Sequence, residues 1–242
     1  MMKKLLLVSA TLGFTVIAAT PACAEELGVS ISIDYATEYV FRGTSLGTDV
    51  FQPGIEVAVG DFYAGVWGST GIGDSSDSTA DEIDYYAGYG FALPGPVSGD
   101  IGATIYHYPE TGSAFDFGDS STFEVYGGLS FDTVLAPSVY AYYDFNLENF
   151  TAEGTIGHSI PVGERTSLDL GLNAGLSTGD SGDWEWATAS VAFGHSFTDV
   201  VSAYVGGNYS VNSDNLLDYE DVTLDDGETN QLFFGVGVAA GF

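Results

Sequence analysis

Residues 28–42 read Gly-Val-Ser-Ile-Ser-Ile-Asp-Tyr-Ala-Thr-Glu-Tyr-Val-Phe-Arg. Val29, Ile31, Ile33, Tyr35, Thr37, Tyr39 and Phe41 share one parity, and Ser30, Ser32, Asp34, Ala36, Glu38, Val40 and Arg42 share the other. Successive side chains of a strand point to opposite faces, so this spacing predicts a strand with one greasy face and one polar face. The same alternation recurs over 50–60, 62–69, 81–91, 99–108, 122–131, 137–145, 149–160, 166–176, 184–195, 200–209 and 231–242. It is weak in 62–69 and 184–195. No stretch after Gly28 shows helical periodicity. About twelve strands result, most near the ~9–11 residues that a tilted membrane strand requires. Strands of soluble sandwiches are usually shorter.

The connections fall into two kinds. Residues 43–49, 70–80, 109–121, 144–149, 177–183 and 210–230 form the longer set. Residues 60–61, 92–98, 132–136, 161–165 and 196–199 form the shorter set. Long loops at one end and short turns at the other predict an all-β fold, a transmembrane antiparallel β-barrel with both termini on the short-turn, periplasmic side. The chain closes on Leu232, Phe234, Val236, Val238, Ala240 and Phe242 in strict alternation. A terminal aromatic on an amphipathic strand resembles the signal by which the barrel assembly machinery recognises its clients.

The first 24 residues differ from the rest. Lys3 and Lys4 precede an apolar run over 5–19, and Ala22-Cys23-Ala24 offers a small-residue cleavage site. This predicts an N-terminal signal peptide over 1–24, cleaved after Ala24, and a barrel domain over 25–242 exported to a bacterial outer membrane. Acylation at Cys23 is the alternative, but Thr20-Pro21-Ala22 lacks the usual leucine-like position. Cys23 is the single cysteine of the chain, which excludes an intramolecular disulfide and a cysteine-rich zinc site.

Charge narrows the function. The 242 residues carry 34 acids against 4 bases, a formal charge of −30. A nucleic-acid partner engaged through a basic footprint is excluded. Beyond the leader, the only bases are Arg42 and Arg165.

Tyr39-Val40-Phe41-Arg42-Gly43, Tyr63-Ala64-Gly65-Val66-Trp67-Gly68-Ser69 and Glu82-Ile83-Asp84-Tyr85-Tyr86-Ala87-Gly88-Tyr89 resemble the N-terminal half of the TorF porin family. Residues 150–159, with Gly157-His158-Ser159, are also similar. The resemblance spans residues 28–242 and is most specific between Tyr39 and Tyr89. It implies an outer-membrane barrel that conducts small solutes, surrounded by outer-membrane lipid and lipopolysaccharide. It implies no particular cargo.

In such a barrel the apolar parity faces lipid, where a polar group would find no partner. The other parity then faces the pore. Its expected lining is Asp34, Glu38, Arg42, Gln52, Glu56, Glu82, Asp84, Glu124, Asp144, Glu153 and Asp169. Carboxylate rings inside a low-dielectric wall favour cations. A pairing of the first two strands with residue numbers summing to 94 sets Arg42 against Gln52 and Glu38 against Glu56. Arg42 then serves as a charge clamp for Glu38 at the constriction, or as a structural pair at the rim. Tyr86, Tyr106, Tyr126, Tyr140, Tyr142 and Tyr204 share the pore parity and are expected to narrow it. Gly54, Gly88, Gly102, Gly128, Gly171 and Gly206 are expected to leave space. Tyr35, Tyr39, Phe41, Phe51, Tyr85, Tyr89, Phe91, Phe123, Phe131, Tyr143, Phe145, Phe150, Tyr209, Phe234 and Phe242 are expected to face lipid.

Catalysis is the rival class. His158-Ser159 and His195-Ser196 repeat within Gly-His-Ser, but adjacent residues of a strand point apart, so neither pair joins a nucleophile to its base. The acidic runs at 74–82 and 218–228 match no EF-hand spacing. The expected function is a narrow, cation-favouring passive pore without enzyme activity or cofactor. The alternative is a non-conducting binding or structural barrel with acidic outer loops.

Overall fold

The computed structural model describes residues 27–77, 81–180, 182–217 and 229–242. The expected signal peptide and the acidic run at 218–228 lie outside the described residues. The strands are β1 (Leu27–Phe41), β2 (Thr44–Val59), β3 (Phe62–Gly71), β4 (Glu82–Ala92), β5 (Val97–His107) and β6 (Ser121–Phe131). They continue as β7 (Ser138–Asp144), β8 (Asn149–Pro161), β9 (Thr166–Gly179), β10 (Trp184–Ser196), β11 (Val201–Asn212) and β12 (Asn230–Gly241). One 3-10 turn, Gly73–Asp77, follows β3.

Each strand pairs antiparallel with its sequence neighbours, and β12 pairs with β1 from Ser30↔Gly241 to Ala36↔Gly235, closing a twelve-stranded barrel. Phe242 joins this seam, because Val29 and Phe242 exchange backbone hydrogen bonds of 3.0 and 2.9 Å. Closure removes the two edges that an open sheet would leave unpaired. The end that holds both termini, here the turn end, has only short connections; the three longest, 72–81, 108–120 and 213–229, lie at the opposite, loop end, where 42–43, 145–148 and 180–183 are short as well, contrary to the expected long connections at 43–49, 144–149 and 177–183.

The barrel is polar inside and apolar outside. Ile31, Ile33, Ile55, Phe62, Ile101, Leu172, Phe193, Val205, Phe234 and Val238 are exposed on the wall. Glu38, Gln52, Glu82, Asp84, Glu124, Asp144, Thr151, Ser177 and Ser210 are buried on the other face. A barrel in water would reverse this, because burying apolar area stabilises by about 25 cal/mol per Å². An exposed apolar band around a polar interior is the pattern of a barrel surrounded by hydrocarbon.

The connection expected at 43–49 is absent. Phe41 pairs directly with Thr44, and the turn is Arg42-Gly43 alone. Both residues have positive φ, 50° and 76°, the backbone of a two-residue hairpin turn. The register moves accordingly: Asp34 faces Gln52, Ser30 faces Glu56 and Glu38 faces Thr48. The expected pairings of Arg42 with Gln52 and Glu38 with Glu56 do not form, because β2 starts at Thr44, six residues earlier than a loop at 43–49 would allow, and paired residue numbers sum to 86 instead of 94. That span is polar and rich in small residues, which hid its strand character.

Candidate functional site

The hairpin tip leaves the wall. Beyond Ala36, β1 has no further ladder partner on β12, and β2 meets β3 only from Val50 onward. A register shift between Tyr39 and Val40 bends the hairpin where it departs. Asp49, at φ 47°, marks the return, and its side chain accepts a 2.5 Å hydrogen bond from Tyr35. Residues 38–48 therefore fold into the loop-end mouth.

Side chains of the tip reach several wall strands across the interior. Tyr39, 3% exposed, packs on Trp67 of β3 and donates to Glu82 of β4. Phe41 tilts against Tyr106 of β5, with ring centroids 5.9 Å apart. Tyr39 and Phe41 therefore do not face lipid, contrary to their parity, because the whole hairpin is enclosed. Ser45 donates to Glu38, and Gln231 of β12 reaches Glu38 at 3.3 Å. Val40 and Val50 join Ala192, Tyr204, Leu217 and Phe233 in an apolar cluster. The Trp184 indole donates to the Arg42 carbonyl at 2.8 Å, and Asn212 donates to the Gly43 carbonyl at 2.7 Å. A methyl group at Gly43 would fall 2.4 Å from the Trp186 Cβ, so this turn requires glycine by space as well as by φ.

Arg42 does not clamp Glu38. It crosses to β6, where Nη1 and Nη2 donate to the two carboxylate oxygens of Glu124 at 2.6 and 2.9 Å. Its guanidinium carbon lies 4.0 Å from the Tyr142 ring centre and 4.6 Å from that of Phe41. Tyr106 donates to Glu124 at 2.9 Å. A bidentate pair between ring faces is strong and geometrically specific. In the loop just beyond β5, Tyr108 is held protonated well above the ordinary phenol range, first by burial and then by the charges of Glu82, Asp84 and Asp144.

The acids expected on the inner parity divide between two levels. Glu38, Glu82, Asp84, Glu124 and Asp144 are buried in the loop half with Gln52. Asp34, Glu153 and Asp169 are half-buried, while Glu56 is buried but lies toward the turn end. Most are held by hydroxyls or amides of neighbouring strands. Tyr204 donates to Asp34 at 2.9 Å, Tyr86 to Glu56 at 3.2 Å, Tyr142 to Glu153 at 2.7 Å and Ser167 to Asp169 at 2.9 Å. Asp144 accepts from the backbone of Asn146 and Leu147 at 2.8 Å and caps the turn after β7.

Asp100 and Tyr63 also belong here, and the sequence reading passed over them. Tyr63 donates to Asp100 at 3.0 Å and lies 2.6 Å from the Tyr126 hydroxyl. Asp100 shares its parity with Gly102 and Tyr106, so alternation alone was enough to find it. Tyr63 was harder, because β3 carries aromatics on its inner face.

Four inner tyrosines pack onto glycines of neighbouring strands. Tyr63 stands opposite Gly88, Tyr86 opposite Gly65, Tyr126 opposite Gly102 and Tyr140 opposite Gly128. A Cβ on any of these glycines would lie 2.2–2.4 Å from the facing ring. Each ring thus lies flat on the bare backbone of its neighbour. Of the glycines expected to leave space, Gly88, Gly102 and Gly128 each accommodate a facing ring.

The histidines hold local structure. His107 Nδ1 lies 3.1 Å from both the Ser120 carbonyl and Ser121 Oγ, anchoring the loop before β6. His158 and His195 are exposed near the turn end, bonded to Val134 and Thr166. Among the described residues, no group of three or more His, Cys, Asp and Glu is placed to hold a metal ion.

Residues 18–221 match the family model described as a bacterial protein of unknown function, Gcw_chp. The chain belongs to the Gcw_chp family. No curated protein matches it by sequence. The Gcw_chp barrel is similar in fold to solved outer-membrane channels. The KdgM porin is 13% identical, with a TM-score of 0.54 over 88% of this chain and 99% of that one. The NanC porin is 10% identical, with a TM-score of 0.56 over 88% and 98%. The COG4313 outer membrane channel from Pseudomonas putida F1 is 12% identical, with a TM-score of 0.50 over 92% and 97%. At such identities the likeness is one of fold, and it extends over nearly the full length of each channel.

Proposed function

We propose that this Gcw_chp barrel is an outer-membrane pore for passive diffusion of small solutes, as the TorF resemblance implies, and that its strand number and carboxylates make it narrow and cation-favouring. The observation that carries the reading is the inversion of the wall, with isoleucine, leucine and phenylalanine outside and carboxylates inside. The acids of the expected lining would set the ion preference, since Arg42 is the only base among them and is already neutralised by Glu124. A structure of the KdgM porin is described as a complex with disordered oligogalacturonate, a polyanion. An acid-rich interior is unsuited to such a ligand by charge alone. Export through the leader at 1–24, assembly through Phe242 and a setting of lipid and lipopolysaccharide complete the proposal.

A second reading is favoured by the seated hairpin: a binding or structural barrel that does not conduct. Recording from the refolded chain 25–242 in planar bilayers separates the two. Steady current with a cation-selective reversal potential supports the pore. Silence in wild type and in a chain lacking hairpin residues 39–47 supports the second reading.

A further inference from the structure

Arg42 is held the way a receptor holds a ligand. Glu124, 3% exposed, meets the guanidinium fork with both oxygens. Tyr106 orients that carboxylate, and Tyr142 covers one face of the cation at 4.0 Å. A planar, weakly hydrated cation fits a carboxylate between rings better than a compact ammonium does.

The cradle and its occupant belong to different parts of the molecule. Glu124, Tyr106 and Tyr142 sit on wall strands fixed by ladders on both sides. Arg42 sits on a hairpin tip whose residues 38–48 have ladder partners only within the hairpin. Side chains and the Leu216 carbonyl, which accepts from the Ser45 amide, attach the tip to its surroundings.

We propose that Glu124, Tyr106 and Tyr142 form a binding site for guanidinium-bearing solutes, and that Arg42 is its tethered occupant. A soluble guanidinium competes for Glu124, releases the tip and opens the loop end. This deepens the pore reading by naming a class of cation, while binding itself does not require conduction. A tethered group has an effective concentration on the order of millimolar or higher, so the free cation acts in that range.

The test uses the mature chain 25–242, which has no cysteine. Ser210 is 0% exposed inside the loop-end half, and Ser210→Cys reports its opening to a small water-soluble thiol reagent. Methylguanidinium at tens of millimolar is expected to speed labelling by about tenfold, with methylammonium at equal ionic strength having little effect. In Arg42→Ala the basal rate rises similarly, and calorimetry shows one saturable methylguanidinium site that the added Glu124→Gln removes. Arg42→Lys, which keeps charge but loses the fork, labels faster than wild type and serves if Arg42→Ala does not fold. Equal effects of the two cations, or no saturable binding to a folded Arg42 variant, overturn the proposal. Binding and opening without current would sink the pore reading alone; current that ignores methylguanidinium would sink this site alone.

Discussion

In the turn-end half of the interior, Tyr63, Asp100, Tyr126 and Asp169 keep partial exposure, although Glu56 there is buried. In the loop-end half, Gln52, Glu82, Glu124, Thr151, Ser177 and Ser210 are buried. Both halves obey the same inward parity and draw on the same residue types. They differ because the tip of the first hairpin occupies one of them. Toward the turn end, Asp100 and Asp169 accept from hydroxyls and stay half-buried. Toward the loop end, Glu38 and Glu124 are buried against partners that the hairpin supplies. Alternation selects which side chains point inward, and a single inserted element decides how deeply they are buried.

The largest expected difference between the halves is the loss of Glu124. Glu124→Ala leaves Arg42 buried without a counter-charge and should cost about 3–5 kcal/mol, unless the hairpin swings out and caps the loss. Urea unfolding in detergent, followed by tryptophan fluorescence, measures this. Little change in midpoint together with a wild-type Ser210→Cys labelling rate would break the contrast, since the loop-end half would then not depend on the ion pair.

Gly43→Val should come next. It places a β-branched residue at φ 76° and against Trp186, for about 1–3 kcal/mol of backbone strain before any clash. Faster labelling at residue 210 would place the damage at the tip. Gly128→Val, in the turn-end half, drives a side chain into the Tyr140 ring and should cost about 1–3 kcal/mol by overpacking, without unsealing residue 210. Similar labelling in both valine variants would argue against two independent halves.

The smallest effects on stability belong to the half-buried acids. Asp34→Asn with Asp169→Asn should change stability by less than about 0.5 kcal/mol at each site. The same pair should move the reversal potential toward the unselective value, and an unchanged potential would show that these carboxylates do not set ion preference. The exposed pair Arg165–Asp199, 3.0 Å apart, is a control outside both halves, and Arg165→Ala should fall within about 0.5 kcal/mol of wild type.

Much of the barrel was legible because alternation is a direct trace of a wall with two unlike faces. Ile31, Ile33 and Ile55 advertise the outer face and Asp34, Gln52 and Glu56 the inner one. Residues 43–49 carried no such trace. A hairpin enclosed on both sides has no face to distinguish, so Tyr39 and Phe41 were assigned outward and Thr44 to Thr48 to a loop. The tyrosines show a related blind spot. Their parity was readable, but the fit of Tyr140 onto Gly128 depends on cross-strand register, which the connection 132–137 between β6 and β7 sets from a distance.

The sequence by itself determined an acidic chain of about a dozen amphipathic strands, with its greasy parity outward and its carboxylates inward. Those properties are periodic and local, so they survive in a string of letters. Only the tertiary structure decided that Arg42 would reach Glu124, 82 positions away, and that the first hairpin would stop the loop end. Such contacts follow from barrel closure and register, which bring distant strands face to face across one interior.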